Sequence, residues 1–186
     1  VEDIHGRRVA SPGRRTPAAL LFGLLCKAQG VPPQIVELVY DQVMPAVQAG
    51  DCAAGVVIHE GRFTFAQYGL ARLLDLGAWW EEDCGLPIPL GCIVMRRSLG
   101  LELARAENLG IRLRLEQARV HPDRAREYIR QHAQEMDPQV IASHIETFVT
   151  DYSLDVGQEG EAAIGALFAQ ARSGALPQDI FLPPGA

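Results

Sequence analysis

The sequence has no Cys-x-x-Cys pair, no His-x-x-x-His pair, no basic run longer than two residues, and no internal repeat or low-complexity tract. Each absence removes a class of function. Cys26, Cys52, Cys84 and Cys92 lack the spacing of a zinc ribbon or a redox motif, so four reduced, mostly buried thiols are the expectation. Glu135, Asp137 and Glu146 do not combine with the histidines into a metal-ligand spacing. A net charge of −6 with scattered basic residues lacks the footprint of a nucleic-acid or acidic-membrane binder. Even the apolar run Ala18 to Cys26 stops at Lys27, short of the roughly 18 to 20 residues that a membrane span needs. Val1-Glu2-Asp3-Ile4-His5 lacks the basic-then-apolar profile of a secretory signal, so a cytoplasmic location is the expectation.

What is present describes a globular domain. With 48% hydrophobic and 22% charged residues, 186 residues can bury one sizeable core. The first half alternates short apolar runs with helical patterns, the signature of βαβ units and a mainly parallel sheet. Arg8 to Ser11 reads as a strand, Pro12-Gly13 as its turn, and Thr16-Pro17 as an N-cap with a first-turn proline. Ala18, Leu21, Phe22 and Leu25 then give a helical stripe that ends near Gly30 and Pro32-Pro33. Ile35 to Tyr40 reads as a second strand, Asp41 to Ala49 as a short helix, and Ala53 to Ile58 as a strand covered on both faces. Leu73 to Leu76 and Cys92 to Met95 are further strand candidates.

From Ser98 onward the pattern is helical. Arg105 to Arg119 carries interleaved charge, and helices restart at His121-Pro122-Asp123 and Asp137-Pro138. Ile141, Ile145, Phe148 and Tyr152 are expected on one face of the latter, and Gln158 to Arg172 forms a final amphipathic helix through Ile164, Leu167, Phe168 and Ala171. The division expected is an α/β lobe over 1–97, a helical segment over 98–176 that packs on or completes another lobe, and a loose tail over 177–186.

Chemistry points to the carboxyl ends of the strands, because right-handed crossovers bring those ends to one edge, where ligands bind. Thr16 and His59 both follow such ends. The free N–H groups of Ala18 and Ala19 at the capped helix start would offer an anion site, and a carboxylate there would face His59. Histidine suits proton abstraction because its unperturbed pKa of about 6.5 leaves it neutral and still basic. A histidine bonded to a nearby carbonyl is the competing reading. Glu60 is expected to pair with Arg62. His132 and His144 fall on apolar stripes and read as core or interface residues, and Trp79 and Trp80 as core and rim.

Three long runs narrow the field: Val57-Ile58-His59-Glu60-Gly61-Arg62-Phe63-Thr64-Phe65, Asp75-Leu76-Gly77-Ala78-Trp79-Trp80-Glu81, and Gly85-Leu86-Pro87-Ile88-Pro89-Leu90-Gly91. In this order they resemble the signature of the 1,4-dihydroxy-6-naphthoate synthases of the futalosine route to menaquinone. Pro12-Gly13-Arg14-Arg15-Thr16 and His132-Ala133-Gln134-Glu135 are similar to two further segments of that family. The resemblance implies a two-lobed α/β fold like the type II periplasmic binding proteins. It also implies a carbon–carbon lyase that takes cyclic dehypoxanthine futalosine, a small carboxylate, with no metal or organic cofactor. His59 matches the family's proton acceptor, and Thr16, Pro17 and Ala18 match its substrate-contacting turn.

Two departures stand out. The family reads Thr-Thr-Ala where this chain has Thr16-Pro17-Ala18, which removes a hydroxyl and an N–H. The family also begins with a segment carrying Ser-Pro-Cys-Pro-Asn-Asp and Ser-Tyr motifs, and neither occurs here. The expectation is therefore one incomplete lobe, helices whose apolar faces favour self-association, and a chain that is not a self-sufficient enzyme. A non-catalytic carboxylate-binding module of the same fold and an inactive fragment are the alternatives.

Overall fold

A computed structural model describes residues 2–133, 137–171 and 179–182. Three parallel strands, β1 (Arg8–Ser11), β2 (Gln34–Glu37) and β3 (Ala54–Gly55), form one sheet in the order β2-β1-β3. Val9 pairs with Ile35 on one side and Ala54 on the other. Successive side chains of a strand point to opposite faces, and β1 uses both. Val9, 1% exposed, packs with Phe22, Leu25 and Cys26 of helix α1 (Pro17–Gln29). Ala10, 0% exposed, packs with Val43 of helix α2 (Tyr40–Gln48) and with Cys52. The result is an α/β/α sandwich.

This order places the helices. The chain moves from β1 to β2 in one direction and from β2 across β1 to β3 in the other, so right-handed crossovers put α1 and α2 on opposite faces. Strand order therefore reverses between β1 and β3. In open α/β sheets such a reversal, at the carboxyl ends of the strands, is where ligands bind.

The α1 boundaries follow from local chemistry. Thr16 is extended (φ −106°, ψ 149°), and its Oγ1 accepts from the Ala19 N–H at 3.1 Å while its hydroxyl donates to the Gly13 carbonyl at 3.0 Å. Pro17 sits where a missing N–H costs nothing. Gly30 ends the helix in the left-handed region at φ 65°, its N–H directed at the Cys26 and Lys27 carbonyls. Thr16→Ala removes the cap acceptor and the tie to Gly13, and should cost about 1 to 2 kcal/mol in a denaturant titration. A loss under about 0.3 kcal/mol would mean that the cap contributes nothing.

Downstream come α3 (Gly61–Thr64), α4 (Leu76–Cys84), α5 (Leu101–Val120), α6 (Pro122–His132), α7 (Pro138–Phe148) and α8 (Gly157–Ala171). Both expected strands in the middle of the chain are corrected. Asp75 accepts from the N–H groups of Gly77 (3.0 Å) and Ala78 (3.3 Å), so Leu76 starts a helix instead of ending a strand. Cys92 to Met95 is irregular, with Ile93 80% and Val94 83% exposed, because an apolar run becomes a strand only when a neighbour supplies the ladder. The second strand ends at Glu37 and Tyr40 belongs to α2, while the third shrinks to two ladder residues extended by Val56 N–H to Ala10 O.

Trp80 is 0% exposed and its indole N–H donates to the Pro87 carbonyl at 3.3 Å, while half-buried Trp79 packs on the α1 core, matching the core and rim expectation. Cys26 and Cys52 are buried, Cys84 is half-buried and Cys92 exposed; all are free thiols. The helical second half contacts the sheet unit through α7 on α3 and α8 on α1. On α8 the buried line runs through Gly160 and Ala163, while Phe168 and Ala171 are exposed. Helix α7 stops at Phe148, leaving Tyr152 in a separate turn of 3-10 helix. On that face Ile145 and Tyr152 are exposed, and Ile141 and Phe148 half-buried. Among the described residues no helix is long and apolar enough to cross a membrane. Residues 134–136 and most of the tail expected over 177–186 lie outside the described residues.

Candidate active site

The β1–α1 turn carries Thr16, and the segment leaving β3 carries His59, so both stand at the edge where strand order reverses. His59 is exposed and its backbone lies in the left-handed region at φ 48°, unusual for a residue with a side chain. Among the described residues neither ring nitrogen of His59 has a hydrogen-bond partner. That separates it from the carbonyl-bonded histidine of the competing reading. His132 is of that kind: its Nδ1 lies 2.9 Å from the Tyr128 carbonyl and its ring stacks on Tyr128 at 4.2 Å. It is exposed, so of the core and interface placements expected for it the core one is corrected.

Two residues not singled out for chemistry flank His59. The Tyr40 ring stands edge-on at 6.0 Å between centroids, and His144 of α7 lies 6.2 Å away with Phe148 4.6 Å behind it. The Tyr40 phenol donates to the Ile58 carbonyl and accepts from the Gly61 N–H at 3.0 Å. Burial, and then the Glu60 carboxylate, push its ionisation up to about 12, so it stays a neutral donor across the physiological range. Arg62 pairs with Asp75 at 2.5 Å and not with Glu60, which ties the turn after His59 to the start of α4. Glu60 carries a different role: its carbonyl accepts from the N–H groups of Phe63 and Thr64 and starts α3.

Burial, and then the neighbouring His59, hold the His144 ionisation below its ordinary value, with Glu60 opposing. The linkage has a definite sign. Between the ordinary value and the depressed one the unfolded chain binds the proton and the fold does not, so acidification through that window destabilises the fold. His144→Gln should therefore show a shallower fall in melting temperature than the native sequence between pH 7 and pH 5. Equal slopes would remove His144 from the acid sensitivity.

The expected anion site is partly taken up. Thr16 already holds the Ala19 N–H and Pro17 has none, so the Ala18 N–H is the one donor of that first turn left without an acceptor among the described residues. Arg14 forms an ion pair with Glu37 and its backbone N–H lies 3.3 Å from the same carboxylate, joining the turn to the end of β2. Next to this turn a shallow concavity of about 780 Å³ is lined by Ser11, Arg14, Phe22, Lys27, Pro33 and Ile35, and does not include His59. A second, of about 800 Å³, lies between α5 and α6. Among the described residues no cluster of three or more His, Cys, Asp or Glu could hold a metal ion.

Residues 1–173 match the family described as menaquinone biosynthesis. The chain belongs to that family. A 1,4-dihydroxy-6-naphthoate synthase of Thermus thermophilus is 47% identical over 186 residues, covering 98% of this chain and 67% of the relative. One from Streptomyces coelicolor is 44% identical over 172 residues, covering 91% of this chain and 61% of the relative. The crystal structure of an Archaeoglobus fulgidus protein superposes with a TM-score of 0.83 at 34% identity, over 91% of this chain and 63% of that one. The chain thus spans about two thirds of the length of these relatives and of that structure.

Proposed function

We propose that this chain carries the general base of a carbon–carbon lyase that converts cyclic dehypoxanthine futalosine to 1,4-dihydroxy-6-naphthoate in menaquinone biosynthesis. One observation carries the reading: a histidine whose ring nitrogens have no hydrogen-bond partner among the described residues stands where strand order reverses, in a chain 47% identical to a synthase of that name. His59 accepts a proton from the sugar-derived ring of the substrate. The electron pair left behind drives cleavage of a C–C bond, a three-carbon fragment departs, and the bicyclic product gains aromaticity. The Thr16-Pro17-Ala18 turn holds the substrate carboxylate through the Ala18 N–H, and the charge is favoured by the helix start.

In this reading the fold is a two-lobed one of the type II periplasmic-binding-protein kind. Residues 1–97 form one lobe, and the helices of 98–176 serve the other. The location is the cytoplasm. The test is direct: the chain, and a version extended to its relatives' length, are incubated with cyclic dehypoxanthine futalosine and naphthoate absorbance is followed. Turnover by the extended version supports the lyase, whereas saturable binding of a carboxylate without consumption by both would establish a binding module instead.

A further inference from the structure

We propose that Tyr40 is a positioning residue for His59, its phenol bridging the two ends of the Ile58–Gly61 turn and fixing the backbone that presents the imidazole. The proposal builds on the lyase reading but stands on separate geometry. Tyr40 opens α2, and the crossover from β2 to β3 returns the chain beside it eighteen residues later at Ile58. Its hydroxyl donates to the Ile58 carbonyl and accepts from the Gly61 N–H at 3.0 Å, and that same N–H lies 3.0 Å from the Ile58 carbonyl. One oxygen therefore engages the polar groups on either side of His59-Glu60.

Left-handed backbone at a residue with a side chain is costly and persists only where its surroundings over-determine it. His59, at φ 48°, is in that state, and the phenol bridge supplies the determination. Gly61 is the complementary half. A Cβ built on Gly61 would stand 2.4 Å from the Tyr40 hydroxyl oxygen and 3.3 Å from the Val57 Cβ, so no side chain at 61 coexists with the bridge. The edge-on ring contact at 6.0 Å then limits how the imidazole can rotate. A base displaced by about 1 Å can cost on the order of 10²-fold in rate, which is why holding the backbone matters.

Tyr40→Phe keeps the ring and deletes the bridge. In the lyase assay on the version extended to its relatives' length, kcat should fall about 10- to 100-fold with KM nearly unchanged. Gly61→Ala, which forces the phenol away, should do the same. The double variant should be no worse than either single one, because both remove one element. A merely structural role would not produce that pattern: two independent destabilisations would add, and would not single out kcat. Histidine-labelled NMR gives a readout that needs no activity, with a single sharp His59 ring signal in the native chain and a broadened or split one in Tyr40→Phe. Native kcat in Tyr40→Phe, additive losses, or an unchanged His59 signal would each overturn the bridge. Absence of turnover in the extended version without substitutions, together with the expected change in the His59 signal, would instead count against the lyase reading alone.

Discussion

In a version extended to its relatives' length, His59→Ala is expected to lower lyase turnover by at least the roughly 10²-fold typical of losing a general base, with little change in melting temperature. Both halves follow from where the residue sits. The side chain is exposed and its ring nitrogens are unengaged among the described residues, so truncation leaves no buried cavity and no orphaned partner. Alanine carries a Cβ as histidine does, so the left-handed backbone at φ 48° costs a similar amount in both, and the Tyr40 bridge to Ile58 and Gly61 that holds it uses main-chain groups that survive. What the variant lacks is the general base that accepts the substrate proton. Naphthoate formation within a few fold of the native rate would remove His59 from the mechanism, and a large drop in melting temperature would recast it as a structural residue.

The largest effect on stability is expected at the other end of the sequence motif. Trp80→Ala should cost about 3 to 5 kcal/mol, the range for deleting a buried aromatic side chain. Trp80 is fully buried on α4, which packs against α1, and its indole holds the Pro87 carbonyl at 3.3 Å. Alanine would leave a void and release the Gly85 to Gly91 connection together. A domain of this size is stable by about 5 to 15 kcal/mol, so much of the reserve would go. Half-buried Trp79 is the control, and its alanine variant should lose clearly less in the same urea titration. A loss at Trp80 below about 1 kcal/mol would mean that the region collapses around the deletion or contributes little to the fold.

The sequence was most informative where the signals are local. Thr16, Pro17 and Gly30 bracket α1 because caps and breakers act within one helical turn, and β1 was readable from Arg8 to Ser11 because its turn follows at once. Strand pairing is not local. Leu73 to Leu76 and Cys92 to Met95 have the apolar text of strands, but Asp75 caps a helix across the first and no ladder partner meets the second among the described residues. The candidate site divided in the same way. His59 was legible from its place after an apolar run, whereas Tyr40 looked like the last residue of a strand and His144 like part of a core stripe with Phe148. Their meaning comes from proximity that spacing does not encode: a crossover brings Tyr40 to Ile58, and α7 packs on α3 to set His144 beside a histidine 85 positions earlier. Arg62 chose the distant Asp75 over adjacent Glu60 for a similar reason, since Asp75 was already fixed as a cap.

The measurement closest to the central claim is chemical rescue of the missing base. His59 is exposed, so its removal opens a space that added imidazole can reach from solvent. In the His59→Ala variant, extended to the length of its relatives, naphthoate formation should rise with imidazole concentration and saturate. The rescue should follow the unprotonated fraction of the added base as pH is raised from 6 to 8. A folded variant that still binds the naphthoate product but gains no turnover from imidazole at any pH would contradict the assignment of His59 as the proton acceptor.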